Sequence, residues 1–129
     1  MRLDVIQLKE FYRGTELGRT TKQLINRVLE TKVDTNKGSL TIGFGFACPF
    51  LEKKMKESEK KNFLLLMPSE QGVIPWPEGS KSVTALVDEV SWPINTSAAD
   101  LILISHGLEV SDNQDLLLQE VLRVLKDSG

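Results

Sequence analysis

The sequence has 129 residues, the length of about one domain, and is 40% hydrophobic and 26% charged. These values are typical of soluble globular proteins and exclude collagen-like and disordered chains. Sixteen lysines and arginines oppose eighteen aspartates and glutamates, so the chain lacks the basic excess of a dedicated nucleic-acid-binding protein. The single cysteine, Cys48, excludes an intramolecular disulfide and a Cys-based zinc site. The single histidine, His106, argues against a His-based metal centre.

No segment has the pattern of a membrane span or a secretion signal. The densest apolar stretch, residues 40–51, contains two glycines and a proline and is shorter than the ~20 residues that cross a bilayer. The N-terminus carries Arg2 and Asp4 among its apolar residues and has no small-residue cleavage site. We therefore expect a soluble, cytoplasmic protein that makes no contact with a membrane.

Residues 1–38 are predicted to form an N-terminal helical segment. Two amphipathic patterns follow each other there, because apolar residues recur every three or four positions. The first, which ends near Gly14, consists of Val5, Leu8, Phe11 and Tyr12. The second, predicted to form one buried face, consists of Leu17, Thr21, Leu24, Ile25, Val28 and Leu29. The polar run that closes on Gly38 ends this segment.

Residues 39–129 are predicted to alternate short strands with helices, a pattern typical of an α/β domain with a parallel sheet. The predicted strands are 40–44, 63–67, 83–87 and 100–105, and the predicted helices are 49–61 and the segment after Ser111. The sequence from Ser111 to Gln114 has the S-x-x-Q form of a capping box. Residues 72–82 are too rich in proline and glycine for an ordinary crossover helix.

Residues 41–49 read as a strand that enters a small-residue turn and then a helix. Glycines at 43 and 45 let the backbone turn tightly, and the helix N-terminus offers N–H groups to polar ligand atoms. The alternative is a tight turn without a ligand. A dinucleotide fingerprint would require glycine at Cys48. A thiol at a helix start can have a lowered pKa, but Cys48 also suits a small packing role.

Polar residues follow the third and fourth predicted strands. Asp88 and Glu89 come directly after a strand, and open α/β sheets bind ligands at that edge; a solvated acidic turn is the alternative. His106 follows Ser105 at the end of the fourth strand, where a histidine serves as a general base or as a hydrogen-bonded structural residue. No carboxylate stands at triad spacing, so the catalytic residue is unassigned and His106 is the candidate.

The order of these motifs follows one family pattern: an acidic pair, a proline five residues later, an aspartate that opens the fourth strand, Leu-Glu, and a helix that ends in Arg-Val-Leu-Lys. The matching residues are Asp88-Glu89, Pro93, Asp100, Leu108-Glu109 and Arg123-Val124-Leu125-Lys126, with Phe11-Tyr12, Leu17-Gly18, Leu66-Met67-Pro68 and Gly72-Val73 as further marks. In this order the chain resembles the class I S-adenosylmethionine-dependent methyltransferases, specifically the bacterial methyltransferase-domain group. The resemblance extends from residue 5 to the end.

The resemblance implies a Rossmann-like α/β fold: a parallel sheet in the strand order 3-2-1-4 with flanking helices, preceded by N-terminal helices. It implies S-adenosylmethionine as the cofactor and a cofactor site of nine residues. These residues are Gly43, Gly45, Phe46, Ala47, Met67, Asp88, Glu89, Ser105 and His106.

The resemblance also implies a role for several of these residues. Gly45 and Ala47 would belong to the turn that packs under the cofactor. Asp88 would accept a hydrogen bond from the adenine amino group, and the backbone of Glu89 would lie along the ring. His106 would line the methyl-transfer pocket.

The sequence departs from the family pattern at several cofactor positions. Ala47 and Pro49 stand where the second and third glycines are usual, and Gly43 stands where an acidic residue is common. Met67-Pro68 replaces the carboxylate that binds the ribose hydroxyls, and Glu70 and Gln71, just beyond, are the candidates to compensate. We therefore expect weaker cofactor binding than in a full-motif member.

The family's sheet has seven strands, whereas four are found here, so we expect a single, partial domain that holds the cofactor half. The expected function is S-adenosylmethionine-dependent methyl transfer to an unknown acceptor, by this chain or by a longer form of it, with little turnover from 129 residues alone. The alternative is a non-catalytic interaction module that forms a homodimer or contacts another partner through an exposed strand-4 edge. The missing third glycine counts against an NAD-binding unit.

Overall fold

The structure is a computed structural model, and its described residues are 4–32, 40–57, 62–69, 71–72, 74 and 83–127. They form helices and strands in the order α1 (Val5–Gly14), α2 (Glu16–Lys32), β1 (Leu40–Gly45), α3 (Cys48–Glu57), β2 (Asn62–Pro68), β3 (Thr84–Val87), β4 (Leu101–Ser105) and α4 (Gln114–Val124). The four predicted strands are thus confirmed with small shifts of their ends. The predicted domain division at residues 38/39 lies outside the described residues and stays a prediction.

The four strands form one parallel sheet in the order β3-β2-β1-β4. This confirms the predicted Rossmann-like α/β arrangement and its strand order. From β1 the chain leads to β2 on one side, while β4 pairs with β1 on the other. The carboxyl ends of β1 and β4 therefore form the switch point, where open α/β sheets bind their ligands.

Each face of the sheet is covered by a layer of helices, because successive side chains of a strand point to opposite faces. The first core lies between β2 and the helices α1 and α3; among its members are Leu8, Leu51 and Leu65. The second core lies between the other face and α4, and its members include Phe44 and Leu117. Both layers together bury the sheet on both faces.

Gly43 lies where α3 crosses closest to the sheet. A Cβ atom at this position would lie 2.7 Å from Leu65 Cδ2 and 2.9 Å from both Leu51 Cδ1 and Ala47 Cβ. Any larger residue would push α3 away from the first core. This helix–sheet packing by itself accounts for glycine at position 43.

Asp100 and Lys126, two of the residues that carry the family resemblance, hold the amino edge of the sheet. Asp100 Oδ2 accepts a hydrogen bond from the Leu40 backbone N–H at 3.1 Å. Asp100 Oδ1 pairs with Lys126 Nζ at 3.0 Å. The start of β1, the start of β4 and the segment after α4 are thereby connected.

Arg123 and Glu120 form a second connection, between α4 and the loop after β3. Glu120 accepts hydrogen bonds from the Arg123 guanidinium and from the Trp92 backbone N–H. The same guanidinium donates to the Trp92 carbonyl oxygen at 3.1 Å and to Thr96 Oγ1 at 3.2 Å. Trp92 stacks on Phe44 in the second core, so this connection fixes a core residue.

The predicted capping box at Ser111–Gln114 is wrong. α4 begins at Gln114 with Asn113 as its N-cap residue, and the Asn113 side chain makes no capping hydrogen bond. The Ser111 hydroxyl lies before the helix: it donates to the buried Glu89 carboxylate at 2.9 Å and accepts from the Asn113 backbone N–H at 3.1 Å. A capping box does occur at α1, where Asp4 and Gln7 bond reciprocally.

The predicted buried face of α2 is wrong for three of its six residues. Ile25 and Leu29 pack against the first core, whereas Leu17, Leu24 and Val28 are 68%, 55% and 58% exposed. At about 100° per residue, the six positions cover an arc of roughly 140°. Only the Ile25 side of that arc packs against the first core, beside α1 and α3, which leaves the other side in solvent.

No helix in the described part of the chain is long and apolar enough to cross a membrane.

Candidate functional site

The predicted site residues meet at the carboxyl edge of the sheet. Gly45 and Ser105 end β1 and β4 and are paired in register. Met67 is the second-last residue of β2, and Asp88 directly follows β3. Since neighbouring strands are ~4.8 Å apart, this edge runs for about 14 Å from β3 to β4. A nucleoside-sized ligand can lie along such an edge.

The turn after β1 is packed against β4. Gly45 has a φ of +84°, a left-handed conformation that favours glycine, and a Cβ there would collide with the Ser105 carbonyl oxygen. The Phe46 backbone N–H donates to the same oxygen at 2.7 Å. Phe46 and Ala47 are buried in the first core. Close packing on β4 and the core therefore accounts for the small residues of this turn.

His106 lies directly after β4 in a strained backbone conformation. Its φ of +56° is unusual for a non-glycine residue, and such strain is concentrated at functional sites. Nε2 lies 2.5 Å from the Tyr12 hydroxyl and Nδ1 lies 3.6 Å from Glu109 Oε1. A neutral imidazole that accepts the Tyr12 proton at Nε2 carries its own proton on Nδ1, which faces Glu109. The ring is thus held between a phenol and a carboxylate.

Tyr12 of α1 bridges the two sides of the switch point. Its ring lies nearly parallel to Phe46, which follows β1, at a centroid distance of 6.1 Å, and meets Phe50 edge-on. Its hydroxyl donates to His106, which follows β4. Burial, and secondarily the negative charge of Glu109, raises the pKa of Tyr12, so the phenol is a hydrogen-bond donor at neutral pH. α1 therefore covers this edge of the sheet.

Gln71, between β2 and β3, provides the clearest sign of an incomplete site. The side chain is 2% exposed, and its Nε2 donates to the His106 carbonyl oxygen at 2.9 Å. Its Oε1 is buried and accepts no hydrogen bond from the described residues. Buried amide oxygens are normally paired, and an unpaired one costs about 1–3 kcal/mol. A donor from a bound molecule would satisfy it.

Asp88 and Glu89 differ in what they offer a ligand. Asp88 is exposed, and its Oδ1 accepts from the Val90 backbone N–H at 3.0 Å. Glu89 is buried; its carboxylate accepts from Ser111 and its carbonyl oxygen accepts from the Trp92 indole N–H at 3.0 Å. Asp88 is therefore accessible to a ligand, while Glu89 connects the loop after β3 to the segment before α4.

Cys48 has a packing role. It begins α3 in the first core, and burial raises the pKa of its thiol to about 12. At neutral pH the thiol is protonated and is a poor nucleophile. Among the described residues, no group of three or more His, Cys, Asp and Glu side chains could hold a metal ion.

The predicted site includes His106 but neither Tyr12 nor Gln71. Tyr12 has the spacing of a core residue on α1, and only its hydroxyl distinguishes it from a phenylalanine. Gln71 is expected from the sequence only as a substitute for the ribose-binding carboxylate; its contact with His106 has no local signal. Their position beside His106 follows from the packing of α1 over the sheet.

Comparison with known protein families gave no match, and neither did comparison with curated proteins.

Proposed function

We propose that the carboxyl edge of the sheet binds S-adenosylmethionine and that the chain is a methyltransferase, or a methyltransferase-like domain, with an unknown methyl acceptor. The observation that carries this proposal is Gln71 Oε1, a buried acceptor to which no described residue donates, at the edge where α/β sheets bind ligands. The cofactor has ribose hydroxyl groups that can donate to it.

The adenosine end of the cofactor fits the residues at β3 and β2. The exposed carboxylate of Asp88 is suited to accept from the adenine amino group, and Gln71 is suited to accept from a ribose hydroxyl. Gln71 would thereby bind the ribose hydroxyls in place of the carboxylate that is missing at Met67 and Pro68. The two positions follow adjacent strands, in the order in which adenine and ribose are joined.

The amino-acid end fits less well. The Phe46 N–H is already bonded to Ser105, and Tyr12 covers the switch point. To bind there, the amino-acid end of the cofactor would have to displace the Tyr12 ring from His106. This agrees with the expectation of weak binding.

The bound cofactor would supply an activated methyl group, so the protein's own contribution is orientation and exclusion of water. The aromatic residues around Tyr12 exclude water from the switch point. His106 is the residue suited to take a proton from the substrate that receives the methyl group, since the Glu109 carboxylate lies beside its ring.

Isothermal titration calorimetry with S-adenosylmethionine, S-adenosylhomocysteine and adenosine tests the proposal. We expect weak binding of all three, and a loss of about tenfold in Asp88→Asn, because a hydrogen bond to a charged group is replaced by a neutral one. Asp112→Asn, an exposed acid before α4, is the matched control and should bind like the unaltered chain. Absence of binding at millimolar ligand would remove the cofactor from the proposal.

One observation favours the second candidate function, a non-catalytic interaction module. Tyr12 and Phe46 fill the switch point with protein side chains, as expected for a chain that no longer binds a cofactor. The earlier expectation was that such a module associates through the edge of β4. A stable dimer that binds none of the three ligands would favour this candidate.

A further inference from the structure

α2 carries a line of exposed apolar residues on its outer side, interrupted by one threonine. This line, the α2 stripe, consists of Leu17, Thr21, Leu24 and Val28; Thr21 is half-buried, and its hydroxyl donates to the Leu17 carbonyl oxygen at 2.7 Å. Leu17, Leu24 and Val28 are more than half exposed, although Ile25 and Leu29 on the same helix already pack against the first core. The helix thus has a second apolar side, which the folded domain does not bury.

The spacing of the α2 stripe is that of a helix–helix seam. Its positions are separated by four, three and four residues, the pattern that keeps apolar side chains in line along a helix that packs on another helix. From Leu17 to Val28 the stripe is about 16 Å long. Single exposed apolar residues are ordinary on a protein surface, but a line at this spacing marks an interaction site.

The charges beside the stripe indicate which helix it fits. Glu16 and Arg27 are both exposed, and because eleven residues make about three turns they lie on the same flank of the stripe. When two copies of α2 pack antiparallel, equal flanks meet. Suppose that Leu17 lies opposite Val28 of the second copy. Glu16 and Arg27 of the second copy are then offset by only about 3 Å along the helix axis.

The parallel arrangement lacks this complementarity. It brings the charged flank of one helix against the opposite flank of the other, where Ile25 is already packed on the core. The antiparallel arrangement, in contrast, forms two equivalent ion pairs between Glu16 and Arg27 around a two-fold axis. A symmetric interface of this kind is self-complementary.

We propose that the α2 stripe is a homodimer interface in which two copies of α2 pack antiparallel, with the Glu16–Arg27 pairs at both ends. The inference is independent of the proposed cofactor site, which lies on the carboxyl edge of the sheet. The apolar contact is small compared with the ~800 Å² per partner of a standard interface. The dimer therefore dissociates with a constant on the order of tens to hundreds of micromolar.

Analytical ultracentrifugation of the full chain from about 1 μM to about 1 mM tests the interface. We expect a monomer–dimer equilibrium that Leu24→Glu abolishes. The matched control is Leu122→Glu on α4, a residue that is 70% exposed and should leave the equilibrium unchanged. Circular dichroism of each variant establishes that it is folded.

Charge exchange tests the antiparallel arrangement. Glu16→Arg and Arg27→Glu each place like charges together and should weaken the dimer about threefold to tenfold, because each change affects two exposed pairs. The double variant Glu16→Arg/Arg27→Glu re-forms both pairs with reversed sign and should restore the dimer. A double variant as weak as the single ones would contradict the arrangement.

Two results would overturn the interface itself. One is a chain that stays monomeric at about 1 mM. Binding of a different protein or of an anionic vesicle to the stripe of such a monomer would also count against the dimer. The other is a dimer that Leu122→Glu dissociates and Leu24→Glu does not, since that would place the contact on the α4 side of the sheet.

Discussion

The hydroxyl of Tyr12 joins α1 to the far side of the switch point through one hydrogen bond. The ring packs against Phe46 and Phe50, as a phenylalanine would, while the hydroxyl donates to His106. In the tautomer whose Nδ1 proton faces Glu109, Nε2 accepts this hydrogen bond.

Tyr12→Phe removes this hydroxyl and keeps the ring. We expect the free energy of unfolding to fall by about 1 kcal/mol, the usual worth of one hydrogen bond, and the His106 ring resonances to shift in nuclear magnetic resonance spectra. Urea denaturation measures the first effect. Tyr12→Leu, which also loses the aromatic packing, should cost more than Tyr12→Phe. An unchanged His106 spectrum in Tyr12→Phe would contradict the assigned bond.

The buried thiol of Cys48 makes the stability of the folded chain depend on pH in the alkaline range. Burial raises the pKa of its thiol from 9.0 to about 12, so the folded chain retains the proton that the unfolded chain loses. This contribution to stability is complete below about pH 9 and is lost as the pH rises toward 12. Cys48→Ala should lose less stability over that range than the unaltered chain. Thermal unfolding of both at pH 8, 9 and 10 measures the difference.

The same burial predicts that Cys48 is inert in the folded chain. A thiol reagent at pH 8 should react with it only after urea unfolds the protein. Reaction at the same rate with and without urea would contradict the buried position of Cys48.

Among the helices, α4 depends most visibly on side-chain hydrogen bonds. The hydrogen bond from Arg123 is the main reason that the pKa of Glu120 lies below its ordinary value. A lowered carboxyl pKa gives stability that is present above the unfolded value, near 4.5, and is lost as the pH falls through the folded one.

Arg123→Met removes the partner of Glu120 and the donor to the Trp92 carbonyl. We expect a lower free energy of unfolding at pH 7, because the Glu120 carboxylate and the Trp92 carbonyl oxygen each lose a hydrogen-bond donor, and a weaker decline of stability on acidification than in the unaltered chain. Urea denaturation at pH 7 and at pH 4 measures both. Arg27→Met, an exposed arginine of α2, is the control and should change neither at a protein concentration too low for the α2 dimer. Equal acid sensitivity of Arg123→Met and the unaltered chain would contradict the role of this pair.

The positions of most helices and strands could be predicted from the sequence, because buried strands are apolar runs that end at glycine, proline or a polar residue. Two predictions failed because distant residues determined the outcome. Ser111 is hydrogen-bonded to Glu89, which lies twenty-two residues earlier in the chain. On α2, the choice between Leu24 and Ile25 as the inner residue depends on how the helix packs against the first core.

At the scale of the whole molecule, the alternation of strands and helices predicts a parallel sheet, while the strand order comes from the family resemblance. Together they place the predicted site residues toward one edge. The sequence does not show what fills that edge. Gly45 could be expected to admit a ligand, but the space beside it is taken by Ser105. The cofactor role of Asp88 and its neighbours stays a prediction, and Gln71 gives the strongest physical reason to test it.

The contact between Tyr12 and His106 closes a loop of 94 residues, which has a consequence for the order of folding. Loop closure costs entropy, and a contact between such distant residues is compensated only once the sheet between them exists. The carboxyl edge is therefore expected to be completed after the sheet, late on the folding pathway. Interactions that form after the transition state slow unfolding and leave the folding rate nearly unchanged. In this protein, α1 would then determine how long the edge stays closed once it has formed.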